Sequence, residues 1–246
     1  MGQVILRFYG PLNDFLPRRA RHRPLVRPLM RRVSIKDLVE SLGPPHPEIS
    51  LLLVDGVPVP FSHLVVPGCR ISAYPHCYEL DLTGLSEVLP EPLAEPRFVV
   101  DGHLGRLAAY LRALGYDTAF DPRAGDRELA ELAAERILLT RDVGLLKRKC
   151  VTHGYWVRAT EREAQLEEVA GRFDLGPRAR PFCRCVTCNG LLAPVDKAEV
   201  LELVPPRVRE RHEAFRQCTA CGKIFWRGSH HDKMSRLIAR LGASVS

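Results

Sequence analysis

Phe98-Val99-Val100-Asp101 and Ile137-Leu138-Leu139-Thr140-Arg141-Asp142 are the two runs whose reading decides the fold. Each is a short series of strand-forming residues that closes on an acid. Between them Leu104, Leu107, Ala108, Leu111 and Leu114 recur at helical spacing, and Gly115 stands where a helix C-terminal cap belongs. A strand–helix–strand unit therefore begins at Asp101. Alternating strands and helices imply a parallel sheet, which brings both carboxylates to its C-terminal edge, where open α/β sheets hold their ligands.

The same alternation continues on either side. Tyr116–Phe120 and Tyr155–Val157 read as further strands, a helix starts at Asp126, and Thr160-Glu161-Arg162-Glu163 has the form of a capping box ahead of Leu166, Val169, Ala170 and Phe173. Residues 97–177 are thus predicted to form an α/β domain of three layers, α/β/α, around four short parallel strands.

Residues 1–80 have a different plan. Val4–Phe8 and Leu25–Val33 read as strands, Ser34 caps a helix that Gly43-Pro44-Pro45 stops, and Leu51–Val54, Val57–Phe61 and Arg70–Tyr74 supply more strands, with a turn at Asp55-Gly56. That order outlines a β-grasp, ubiquitin-like domain. Through Ile35–Gly43 and Val54-Asp55-Gly56 it resembles the sulfur carriers of that fold, yet Pro75-His76-Cys77 runs on where they end in a free Gly-Gly, so carrier chemistry is not expected. Residues 81–96, with Pro90, Pro92 and Pro96, read as a semi-rigid linker.

The net charge of +7 is unevenly spread: +4 over residues 1–80, −4 over 81–177 and +7 over 178–246. An acidic centre between basic flanks suits a polyanionic partner. With 30 Arg against 6 Lys, coding bias contributes to the basic side, so charge alone does not specify nucleic acid. No window reaches the length of a membrane span, and the N-terminus lacks a signal-peptide plan. A cytoplasmic protein with reduced cysteines is expected.

Residues 178–246 hold the pairs Cys185-Val186-Thr187-Cys188 and Cys218-Thr219-Ala220-Cys221. A two-residue gap lets both thiolates of a tight turn face one ion, so Cys185, Cys188, Cys218 and Cys221 predict a closed, structural zinc site. Cys183 is a fifth candidate; Cys69, Cys77 and Cys150 are isolated and read as packing residues. A basic helix is expected over Asp232–Leu241.

Asp101, Asp126 and Asp142 each precede a helix, where Asp is also a favoured N-cap. Their convergence on one sheet edge points instead to a Mg²⁺ or Mn²⁺ site, because clustered carboxylates repel unless a hard cation lies among them. Glu128 and Asp121 are substitutes for Asp126, and Asp117, inside a strand, is a weaker candidate. Arg106, Arg141 and Lys147 are candidates for substrate phosphates.

Asp101–Ala108, Leu111–Thr118 and Leu138–Asp142 resemble the Mut-seven-C ribonuclease family, a branch of the PIN-like nucleases. Arg184–Asn189 and Cys218–Cys221, with Trp226, Gly228, Ser229 and His230, resemble its C-terminal zinc ribbon, so the likeness covers about residues 97–235. Bacterial members often carry a ubiquitin-like domain ahead of it. The resemblance implies a PIN-like fold and metal-dependent RNA cleavage with catalytic acids at Asp101 and Asp142, and Asp126 as the second acid of related domains. No fourth acid follows Asp142, where Leu145-Leu146-Lys147-Arg148-Lys149 stands. The basic C-terminal segment is expected on RNA backbone, and the β-grasp domain on a protein partner. The reading from another class is a non-catalytic RNA- or ribosome-binding module.

Overall fold

The computed structural model describes residues 2–76 and 81–243, which leaves Cys77 outside the described residues. Packing divides the chain into two compact units: Met1–Pro92 with Asp142–Trp156, and Leu93–Arg141 with Val157–Ser246.

The first unit opens with β1 (Gly2–Phe8), β2 (Leu25–Leu29), α1 (Ile35–Leu42), β3 (Leu51–Val54), β4 (Val57–Pro58) and β5 (Arg70–Tyr74). Its sheet has the order β2-β1-β5-β3-β4, with β1 and β5 parallel and the other neighbours antiparallel. This is the β-grasp arrangement. Ser34 caps α1 by accepting from the Asp37 N–H at 3.1 Å, and the buried Ile35 and Val39 join Val4, Leu6, Phe8, Leu52 and Ile71 in the core. Asp55 and Gly56 both have positive φ, 50° and 86°, the geometry that lets a two-residue hairpin follow the twist of its strands.

Two strands are shorter than the sequence suggests. β2 covers only Leu25–Leu29, with Gly2 of β1 opposite Leu29. β4 stops at Pro58 because Pro58 and Pro60 have no N–H to give a ladder. Residues 81–92 do not hang free: Val88 joins the core of this unit, and the Ser86 hydroxyl donates to the Ser50 carbonyl at 2.6 Å.

The second unit begins with β6 (Phe98–Val100), α2 (Gly105–Ala113), β7 (Thr118–Ala119), α3 (Asp126–Leu132) and β8 (Ile137–Thr140). β6 lies between β7 and β8 and is parallel to both, with Val99 opposite Ala119 and Val100 opposite Leu139. β6 and β8 are buried throughout, as expected of parallel strands covered on both faces. A turn of 3-10 helix, Gly102–Leu104, separates Asp101 from α2, and Gly115 at φ 95° ends the helix with its N–H on the Arg112 carbonyl.

The chain then contributes α4 (Val143–Leu146) and β9 (Gly154–Trp156) to the first unit. There the imidazole of His46, 8% exposed, bridges the Glu40 carboxylate at 2.7 Å and the Val151 carbonyl at 2.8 Å. The Glu48 carboxylate, 5% exposed, accepts from the Trp156 N–H at 2.7 Å. Lys147 donates to the Glu40 carbonyl at 2.6 Å, and the Trp156 and Phe15 rings lie 5.0 Å apart. The segment that begins with Asp142 is thus fastened to the ubiquitin-like core by buried polar contacts that neither periodicity nor motif reveals.

Back in the second unit, α5 (Arg162–Phe173) has Glu161 as its N-cap and no side-chain capping bond. The expected capping box at Thr160 therefore does not form; Glu168 instead accepts the Arg158 and Ala159 N–H groups at 2.9 and 2.7 Å, which shapes the entry to the helix. β10 (Leu192–Val195), α6 (Lys197–Val200), α7 (Pro206–Arg211), β11 (Phe215–Cys218) and β12 (Ile224–Trp226) follow, then α8 (Ser229–Arg240), which starts a little before the predicted tail helix. β10, β11 and β12 form an antiparallel sheet over Val200, Val204 and Phe215.

Candidate active site and metal centre

The four cysteines converge. The sulfurs of Cys185, Cys188, Cys218 and Cys221 lie within 4.8 Å of one another, with Cys188 to Cys218 at 3.4 Å and Cys185 to Cys221 at 3.8 Å. A tetrahedron of sulfurs each about 2.3 Å from zinc has edges of about 3.8 Å, so the cluster can hold zinc. Each C-x-x-C pair is followed by a residue in the left-handed region, Asn189 at φ 71° and Gly222 at φ 72°. The Asn189 and Gly222 N–H groups donate to the Cys185 and Cys218 carbonyls at 2.9 and 3.0 Å, closing two matching knuckles. Gly190 is tightly enclosed; a Cβ there would stand 2.9 Å from the Cys218 sulfur. Cys183 is no part of this group: its thiol faces the Gly115 carbonyl at 3.8 Å.

The first knuckle is also stitched to the sheet. Asn189 accepts from the Thr118 N–H at 3.0 Å and donates to Asp117 at 2.8 Å, and Asp117 pairs with both terminal nitrogens of Arg136 at 2.9 and 3.2 Å. Burial pushes the Asp117 carboxyl up, but the hydrogen bonds and charges of Arg136, Asn189 and Arg184 outweigh it and hold the group below its ordinary value. Arg112, 4% exposed, donates to the Thr118, Val186 and Thr187 carbonyls. These side-chain bonds satisfy the Thr118 backbone within β7, which is two residues long where five strand-type residues occur. Asp117 is thus a structural acid.

Asp101 directly follows β6, which lies between β7 and β8. Its N–H donates to the Leu139 carbonyl at 3.0 Å, and its carboxylate accepts from the Thr140 hydroxyl at 2.6 Å rather than capping the following helical turn. Thr140 is 0% exposed, so its hydroxyl is a fixed donor. A buried Thr closing an all-apolar strand is the signal in the sequence that could have found it. Asp142 does cap, accepting from the Gly144 and Leu145 N–H groups at 2.7 and 3.3 Å. Asp126 is the first residue of α3, behind the N-cap Gly125, and is exposed, as are Asp121 and Glu128. Asp121 accepts from the Arg123 N–H and shapes a turn. Among the described residues, the cysteine quartet is the group of three or more potential ligands close enough to share an ion; the carboxylates form no such group.

An open cleft of about 380 Å³ is lined by His103, Leu104, Arg106, Thr160, Arg162 and Gln165. His103, Arg106, Thr160 and Arg162 are exposed, and no carboxylate lies among the lining residues. Of the other cationic candidates, Arg141 donates to the Arg158 and Ala159 carbonyls at 3.3 and 2.6 Å, fixing the loop that carries Thr160, and Lys147 is engaged with Glu40 as described above. His103, Thr160, Arg162 and Gln165 were not singled out by sequence because they come together only when the N-termini of α2 and α5 are placed side by side.

The second unit thus combines a parallel-sheet α/β fold that has an acid at a strand edge with a four-cysteine ribbon, and the first unit is ubiquitin-like. Two family models match the chain: the one described as Mut7-C RNAse domain over residues 96–238, and the one described as Mut7-C ubiquitin over residues 1–81. The chain belongs to the Mut7-C RNAse domain family. No curated protein and no solved structure matches it. No described helix is long and apolar enough to cross a membrane.

Proposed function

We propose that this chain is a cytoplasmic endoribonuclease that hydrolyses RNA phosphodiesters with the aid of Mg²⁺ or Mn²⁺. The observation that carries the reading is Asp101: a carboxylate at the end of β6, oriented by a buried hydroxyl and not consumed by capping, two residues before His103, which lines a cationic cleft. Asp101, Asp126 and Asp142 offer the oxygen donors that hard cations prefer. A divalent ion held by these carboxylates would supply a lowered pKa for an attacking water and stabilisation of charge on the phosphoryl oxygens. The chain's own residues position the substrate. Thr140 fixes the direction of the Asp101 carboxylate, Arg106, Arg162 and His103 attract the phosphate backbone, and the Arg141 contacts keep Thr160 at the cleft wall.

The test is cleavage of a pool of structured and single-stranded RNA with Mn²⁺ by the parent and by Asp101→Asn, with an EDTA control. Loss of cleavage in the variant and in EDTA is expected; equal cleavage by parent and variant would sink the reading. A second reading, a non-catalytic RNA- or ribosome-binding module, is favoured by the dispersal of the carboxylates. Tight RNA binding with no turnover under any divalent ion would select it.

A further inference from the structure

The ubiquitin-like unit carries its own concentration of positive charge. Seven arginines fall between Pro17 and Val33: Arg18, Arg19, Arg21, Arg23, Arg27, Arg31 and Arg32. No acid occurs between Asp14 and Asp37. Six of the seven are exposed, the exception being Arg21, and none of those six has a carboxylate within ion-pair distance among the described residues. A solvated basic face is ordinarily interspersed with acids; this one is not.

The loop that presents these groups is held in shape. Asn13, 2% exposed, donates to the Phe8 and Gly10 carbonyls at 2.9 Å and accepts from the His22 N–H at 2.7 Å. Arg21 turns inward and donates to the Leu16 and Asp14 carbonyls at 3.0 and 3.1 Å. One guanidinium therefore fixes the turn while its neighbours Arg18, Arg19 and Arg23 stay exposed. Arg27 extends the same charge along β2, the edge strand of its sheet, whose Pro28 blunts strand addition by another chain. A protein partner that adds a strand is thus disfavoured at this edge, and a polyanion is favoured.

We propose that the face formed by residues 18–32 is a backbone-binding surface for RNA, through which the ubiquitin-like unit holds the substrate of the second unit. Naming RNA, rather than another polyanion, rests on the ribonuclease reading. Guanidinium forks suit phosphate oxygens in pairs, and contacts to phosphate carry no sequence information.

The experiment uses the full chain carrying Asp101→Asn, so that RNA is not consumed. Its affinity for a fluorescent single-stranded RNA is measured over a salt series, then again with Arg18→Gln, Arg19→Gln, Arg23→Gln and Arg27→Gln combined, and with the same four positions changed to Lys. Four lost contacts are expected to lower the slope of log K against log salt by about 3, at ~0.7 per phosphate contact on a single strand, with the Lys variant near the parent. An unchanged slope and affinity in the Gln variant would overturn the proposal. So would an RNA slope that stays put while binding to vesicles containing phosphatidylserine is lost, because the surface would then serve a membrane. The two readings fail separately: a reduced slope in a chain whose parent never cleaves RNA leaves this surface standing and removes the nuclease, and cleavage with an unchanged slope does the reverse.

Discussion

Asp117 and Asp101 show how the same residue type takes opposite roles within 16 residues of sequence. Asp117 is answered by Arg136 and Asn189, whereas Asp101 meets a neutral hydroxyl. The depressed Asp117 carboxyl contributes stability that is present in full above the unfolded value near 4 and is lost as pH falls through the lower folded value. Asp117→Asn should therefore cost about 2 kcal/mol in urea unfolding at pH 7, a deficit that narrows in acid. A deficit that persists unchanged below pH 3 would contradict the ion-pair account. Thr140→Val keeps the shape of the side chain and removes its hydroxyl. On the proposed mechanism it should reduce cleavage roughly tenfold, the equivalent of about 1.4 kcal/mol, while leaving KM for RNA near the parent value. A change confined to KM would argue that Thr140 does not position Asp101. Asp101 was legible in the sequence because it closes an apolar run, and Asp117 read only as a weaker candidate inside a strand. Their partners were not, because Thr140 reaches Asp101 across 39 positions and Asn189 reaches Asp117 across 72.

At the scale of elements, the helix caps and turns were largely legible, since Ser34, Gly43, Gly115 and the Asp55-Gly56 turn act through local backbone chemistry. The strands β2, β4 and β7 came out short, β4 because of its prolines, and the Thr160 capping box lost to Glu168. The two knuckles are the clearest case of spacing fixing structure. Cys218→Ala should abolish binding of one zinc per chain and release the Asn189 contacts that tie the ribbon to β7. Loss of zinc, measured by metal analysis, should accompany loss of hydrogen-exchange protection at Thr118; retained zinc and protection would refute the site. The fastening of residues 142–156 makes a separate prediction. Glu48→Ala leaves the Trp156 N–H without its buried acceptor and should cost about 1–3 kcal/mol, seen as faster exchange of that amide. An amide that exchanges at the parent rate would show that this bond does not hold the segment.

For the molecule as a whole, the charge pattern and the two kinds of unit were readable from composition and periodicity. From the sequence, residues 97–177 read as one continuous α/β domain. Residues 142–156 follow directly on a strand of the second unit yet pack into the first, because His46, Glu48 and Phe15 provide the partners that fold those residues there. The residue proposed as a catalytic acid at position 142 thus opens a segment built onto the ubiquitin-like core. The central claim is that the carboxylate at the end of β6 drives divalent-ion-dependent cleavage. Its most direct test is single-turnover cleavage of a labelled RNA across a Mn²⁺ titration, comparing the parent with Asp101→Asn. The account predicts saturable Mn²⁺-dependent cleavage by the parent and a loss of about 100-fold or more in the variant. Equal rates in the two proteins, or a parent rate that does not depend on Mn²⁺, would contradict it.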